Sequence, residues 1–159
     1  MRQEDKITEK SSLYHHLESK SVGELLEDIN REDHKVADAV KEALPQIEAL
    51  VVEAEKRMKR GGRVFYIGAG TSGRLGVLDA SELPPTFGVP STLVSGLIAG
   101  GDTALRNAVE NAEDMTAQGW ADLQKFEPTA DDTLIGIAAS GTTPYVIGAI
   151  REARAHHML

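Results

Sequence analysis

Cysteine is absent from the 159 residues, which excludes disulfides, zinc–thiolate centres and a thiol nucleophile. Aromatic residues are scarce, at 4%, so a core has to rest on Val, Ile, Leu and Ala. No apolar run is long enough to span a bilayer. The start, Met1-Arg2-Gln3-Glu4-Asp5-Lys6, is charged with no apolar stretch behind it, so no secretory leader is expected and the cytoplasm is the default location. A surplus of positive charge is lacking too: 17 Lys and Arg stand against 25 Asp and Glu, a formal net charge of -8. Nucleic acid, which needs clustered cations, is therefore not an expected partner, and neither is a membrane. A small anionic ligand stays compatible, because a few local donors outweigh a global field.

What is present is ordinary for a folded domain: 41% hydrophobic and 26% charged residues. Residues Met1 to Ser21 are polar and aperiodic and read as an arm, with Leu13, Tyr14 and Leu17 available to dock on a neighbour. Ser21 and Glu24 have the spacing of a capping box. From about Asp33 to Arg60, apolar residues recur every three or four positions (Val36, Val40, Leu44, Ile47, Leu50, Val51), which predicts a long helix that Pro45 kinks or divides. Gly61-Gly62 ends it. Then a pattern repeats three times: a short apolar strand, a glycine-rich turn, a helix. The strands are expected at 63–67, 92–98 and 133–138. A helix from Gly73 to Glu82 is expected to stop at Pro84-Pro85, and another to run from an Asp102 cap to about Trp120. A last helix is expected to run through Ala153. This order predicts an α/β fold, a parallel sheet with helices on its faces and ligands at the carboxyl ends of the strands.

The first turn, Gly68-Ala69-Gly70-Thr71-Ser72-Gly73, opens a helix, where free amide groups favour an anion. Its glycines satisfy a dinucleotide pattern, yet no acidic residue ends the second strand to hold a ribose. It is no nucleotide-triphosphate loop either, since no Lys follows the last glycine. The third turn, Ser140-Gly141-Thr142-Thr143, adds hydroxyls at the same sheet edge. Helix capping by Ser140 or Thr142 is the plain reading. Three hydroxyls with a glycine favour phosphate instead. Gly70, Thr71, Ser72, Ser140, Gly141, Thr142 and Thr143 are thus candidate contacts to a phosphorylated sugar. Glu82 and Glu113 are candidates for proton chemistry, although spacing alone leaves Asp79, Glu110 and Asp114 open as competitors. His156-His157 and His15-His16 lack the carboxylates of a metal site, and no metal is expected. Trp120 reads as a core or interface residue.

Several stretches together carry a resemblance. Ile67-Gly68-Ala69-Gly70-Thr71-Ser72-Gly73-Arg74-Leu75-Gly76-Val77-Leu78-Asp79-Ala80-Ser81-Glu82 and Pro84-Pro85-Thr86-Phe87 resemble the N-acetylmuramic acid 6-phosphate etherases. So do Gly96-Leu97-Ile98-Ala99-Gly100-Gly101, Ala112-Glu113-Asp114 and the stretch from Gly136 to Val146. The resemblance implies a sugar isomerase (SIS) fold, doubly wound, at 61–159 behind an N-terminal arm and helical segment at 1–60, together one structural unit. It implies a homodimer, no metal or organic cofactor, and cleavage of the lactyl ether of a sugar 6-phosphate. Glu82 would be the general acid and Glu113 the general base, one carboxyl protonated and the other ionised. Relatives are about twice this length, so the sheet is expected to be incomplete at its C-terminal side. A non-catalytic regulator resembling the glucokinase regulatory protein and a sugar-phosphate isomerase are the alternatives.

Overall fold

The computed structural model describes residues 10–159; residues 1–9 of the expected arm lie outside them. The chain divides into two compact units, Met1–Val52 and Glu53–Leu159, and the division falls inside a helix.

In the first unit the capping box forms. Ser21 donates to Glu24 Oε2 from both its backbone N–H and its hydroxyl, each at 2.7 Å, and the Glu24 N–H donates back to Ser21 Oγ at 3.3 Å. That cap starts helix α1 (Val22–Lys59), well before the expected Asp33. Pro45 lies within α1 without dividing it. The Tyr14 hydroxyl donates to Glu32 Oε1 at 2.6 Å and Lys20 pairs with Asp28, so the arm docks on α1 through polar groups. Its Leu13 and Leu17 are exposed, as are Leu26, Ile29, Val36, Val40, Ile47 and Leu50 along α1.

The second unit carries β1 (Val64–Gly68), α2 (Gly70–Phe87), β2 (Val94–Ile98), α3 (Thr103–Arg106), α4 (Gln118–Gln124), β3 (Thr133–Ile137) and α5 (Pro144–Ala155). All strands are parallel, in the order β2-β1-β3. Gly68 lies level with Ile98 on one side and Ile137 on the other, so the three glycine-rich turns leave one edge together. Alternation along β1 separates two cores. Phe65 and Ile67 face Leu123, Tyr145, Val146 and Ala149 of α4 and α5. Val64 and Tyr66 face Ala80 and Leu83 of α2 and Met58 of α1. Both sheet faces are therefore covered by helices, the doubly wound arrangement. Beyond β3, the Leu159 N–H donates to Asp132 O at 3.2 Å and its carbonyl accepts from Leu134 N–H at 2.9 Å, the bond pattern of a parallel neighbour.

Two expected helices differ. α2 does not stop at Pro84-Pro85 but runs through them to Phe87, where Gly88 closes it at φ 67 with its N–H on Pro84 O at 2.9 Å. Proline's fixed φ is helical, so the pair removes two donors near the end without turning the chain. The helix expected from Asp102 to Trp120 is broken. Asp102 makes no side-chain cap bond, Asn107 is extended, and Asn111 is left-handed at φ 61 before a single 3-10 turn over Ala112–Asp114. Asparagine competes with the helix through its own side-chain hydrogen bonding and tolerates the left-handed region.

Where α4 crosses α5, a Cβ on Gly119 would lie 2.3 Å from Tyr145 O, and one on Gly148 would lie 1.8 Å from Thr116 O. Backbone cannot yield as a side chain can, so Gly148→Ala is expected to destabilise the protein by about 1–3 kcal/mol. The measurement is the midpoint of urea unfolding; an unchanged midpoint would show that the crossing is looser than this.

Candidate functional site

β1 feeds α2 through Ala69, which is extended and supplies no side-chain cap. The Gly73 N–H closes on Ala69 O at 3.2 Å, leaving the N–H groups of Gly70, Thr71 and Ser72 without helical partners. The glycines divide the labour. A Cβ on Gly68 would lie 2.7 Å from Gly73 N, and one on Gly73 would lie 2.6 Å from Ile98 Cγ1, so these two let α2 begin against the strand ends. Gly70 instead has φ 53 with open space around it, which puts the turn in the left-handed region.

β3 lies beside β1, and its turn carries the other hydroxyls. α2 packs on one face of the sheet and α5 on the other, so the β1 and β3 turns flank the point where the winding reverses. A crevice opens at such a point in open α/β sheets. Neither Ser140 nor Thr142 caps α5. Their hydroxyls bond each other at 2.8 Å, and the Thr142 N–H donates to Ser140 Oγ at 3.2 Å. Thr143 holds the N-cap position with no side-chain bond, ahead of Pro144. Gly141, at φ 67, makes the turn.

On the other side of Gly70 lies a cleft of about 200 Å³ between the β1 turn and the segment after β2. Gly70, Arg74, Asn107, Glu110, Asn111 and Glu113 line it. Buried Ala104 and Ala112 anchor that segment, and Arg74 Nε donates to Leu105 O at 3.0 Å, tying α2 to it. The structure thus brings Gly70 and Glu113 to one cleft, with Glu113 exposed on a 3-10 turn rather than at the edge of a helical stripe. Glu110 shares the cleft, and Asp114 is not among its lining residues. A larger cleft of about 470 Å³ on the far side of the same segment, lined by Val109, Met115 and Lys125 among others, holds none of the expected contact residues.

Glu82 is elsewhere. α2 starts at the carboxyl edge of the sheet and runs back toward the other edge, and Glu82 is exposed near its end, about 18 Å along the axis from Gly70. Asp79 sits by Tyr66, whose hydroxyl is pushed up to about 12 by burial and by that carboxylate. His156 stacks on Trp120 at 4.6 Å and its Nδ1 lies 2.8 Å from Glu152 O, which gives both residues a packing role. Among the described residues no cluster suited to a metal occurs. Arg74, Asn107 and Asn111 are the cleft residues that sequence reasoning missed. Arg74 carries a signal: it directly follows the last glycine, the place of the phosphate-binding cation in a nucleotide-triphosphate loop.

The chain is 69% identical over 154 residues to N-acetylmuramic acid 6-phosphate etherase of Bacteroides thetaiotaomicron, covering 97% of this chain and 56% of that protein. It is 68% identical over 154 residues to the protein of that name from Bacteroides fragilis, with 97% and 55% covered. The figure for the protein of that name from Porphyromonas gingivalis is 66% over 155 residues, with 98% and 57% covered. The chain spans about half the length of the curated relatives it matches. The family model described as glucokinase regulatory protein N-terminal SIS domain matches residues 44–154, the stretch that holds the sheet and its three turns. On that match the chain belongs to this SIS-domain family.

Proposed function

We propose that this chain carries the catalytic half of a lyase that cleaves the D-lactyl ether of N-acetylmuramic acid 6-phosphate, giving N-acetylglucosamine 6-phosphate and D-lactate. The observation that carries this reading is the cleft holding the Gly70 turn together with Glu113, in a chain 66–69% identical to relatives of that name. The phosphate binds at the free amides of α2 and the hydroxyls of Thr71, Ser72, Ser140, Thr142 and Thr143. With the sugar ring open, C2 lies next to an aldehyde. Glu113 takes the C2 proton, the electron pair forms the C2–C3 double bond, and the C3–O bond breaks. Glu82 protonates the departing lactate oxygen, and water then adds across the double bond. Phosphate binding far from these carbons orients them.

Glu82 lies at the wrong end of its own α2 for this step, so in this reading a second copy supplies it. A homodimer is also supported by α1. Its exposed residues follow a heptad spacing that matches itself antiparallel, Leu26 opposite Leu50, Ile29 opposite Ile47, Val36 opposite Val40, with Asp33 meeting small Ala43. Val40→Lys is expected to convert dimers to monomers, weakening association at least about 100-fold; sedimentation at micromolar concentration checks it, and an unchanged mass removes α1 from the interface. The cytoplasm is the proposed location, supported by the reducing-compartment composition and by the absence, among the described residues, of any helix long and apolar enough to cross a membrane.

Incubation of the protein with N-acetylmuramic acid 6-phosphate and assay of D-lactate tests the activity. The description of the matched family favours a second reading, a sugar-phosphate-binding regulator. Tight binding of the phosphosugar with no lactate released selects that one.

A further inference from the structure

We infer that Arg74 holds the lactyl carboxylate of the substrate and is the residue that distinguishes a muramic acid phosphate from a plain N-acetylglucosamine phosphate. The inference rests on the proposed etherase reading and assigns a residue to the part of the substrate that reading leaves unbound.

The substrate of that reaction carries two anionic groups, the phosphate on C6 and the lactyl carboxylate attached through O3. The amides and hydroxyls of the β1 and β3 turns provide for one of them. The cleft beside them is otherwise acidic, lined by Glu110 and Glu113, in a chain of net charge -8. A second anion entering there needs a cation, and among the lining residues Arg74 is the only one. It stands ready to serve. Nε is fixed on Leu105 O at 3.0 Å, which orients the guanidinium plane. The other N–H groups of the fork have no hydrogen-bond or ion-pair partner among the described residues, although two glutamates share the cleft. A planar fork with two parallel donors matches a carboxylate.

The order of atoms on the substrate decides which anion it meets. Glu113 acts at C2, and the lactyl group hangs from C3, the adjacent carbon. The phosphate is three carbons farther along the open chain. A cation in the same cleft as the C2 base therefore lies beside the lactyl group, while the hydroxyls of the neighbouring β3 turn lie on the far side of Gly70, where the phosphate goes.

The test is equilibrium binding of two sugars to the full chain carrying Glu113→Gln, so that turnover is slow against the measurement. N-acetylmuramic acid 6-phosphate has the lactyl group and N-acetylglucosamine 6-phosphate lacks it. Adding Arg74→Met is expected to weaken the first about 100-fold and to change the second less than about 3-fold. Arg74→Lys, which keeps the charge and loses the fork, is expected to fall between. Retained binding of the second sugar shows that the variant is folded. Equal losses for both sugars, or no loss for either, overturn the assignment while the etherase reading stands on its lactate assay. If the parent protein binds neither sugar, both fall together.

Discussion

Glu113→Gln is expected to cut D-lactate release about 100- to 10,000-fold while N-acetylmuramic acid 6-phosphate still binds. In the proposed reaction the carboxylate acts only on the C2 proton, and the proposed phosphate anchor on the other side of Gly70 is untouched by the change. Gln fills the same space on the 3-10 turn but accepts no proton. Glu82→Gln should be as slow in lactate release yet differ in a second readout. In the proposed order of steps Glu82 works after the C2 proton has left, so the Glu82→Gln protein should still exchange that proton with deuterated solvent. Glu113→Gln should lose both. The two inactive proteins also test the composite site. If Glu82 crosses from a second copy, mixing them restores about one quarter of the parent activity, because half the dimers are mixed and each of these has one intact site. A single-chain site restores none. Lactate release within tenfold of the parent in Glu113→Gln would remove it as the base, with Glu110 the next carboxylate in the cleft.

Much of this architecture is legible in the amino-acid sequence itself. Three short apolar runs, each followed by a glycine-containing turn, predict parallel strands, because buried strands need no polar alternation and parallel connections need a helix between them. The capping box at Ser21 was equally legible, since both its partners lie within one turn. Pro84-Pro85 reads as a stop because a proline lacks a donor, but near a helix end that donor is needed least. The run from Asp102 to Trp120 reads as one helix from its composition, and the break at Asn107 and Asn111 takes both the tolerance of asparagine for non-helical backbone and the burial of Ala104 and Ala112 on either side of it. The candidate site divides the same way. Gly70 and the hydroxyl turns sit where strand ends place them, a matter of topology. That Glu113 shares a cleft with Gly70 while Glu82 does not depends on the direction of α2 and on the folded path after β2, and neither is written in local spacing. Arg74 is hidden for a chemical reason: the nucleotide-triphosphate loop carries Lys after its last glycine, and a guanidinium in that place belongs to no such motif.

Asp132→Ala is expected to cost about 2–4 kcal/mol of stability, because it leaves the half-buried Arg63 cation and several donors without their acceptor. Asp132 is 1% exposed. Its Oδ1 accepts from the Arg63 backbone N–H at 2.7 Å and from Arg63 Nε at 3.2 Å. Its Oδ2 accepts from Arg63 Nη2 at 2.8 Å, from the Thr129 N–H at 2.8 Å and from Thr129 Oγ1 at 3.3 Å. Arg63 goes on to the carbonyls of Phe126 and Glu127 at 3.0 and 3.1 Å. Burial works against the charged carboxylate, yet the Arg63 and Thr129 bonds outweigh it and hold the group below the ordinary aspartate range. A carboxyl with its folded value depressed lends stability that is fully present above the unfolded value and is lost as pH falls through the folded one. The parent should therefore lose urea resistance below about pH 4, and Asp132→Asn should start lower at neutral pH and fall less steeply. Parallel acid profiles for the two proteins would show that the charge is not what matters. Arg63→Met added to Asp132→Ala should recover part of the loss, since no orphaned charge then remains. The residue also reaches the site without touching it. Asp132 and Arg63 pin the starts of β3 and β1 in register, and that register sets Gly68 beside Ile137 at the other end. Both hydroxyl turns leave from there, so a slip of β3 against β1 would separate the two halves of the proposed phosphate site.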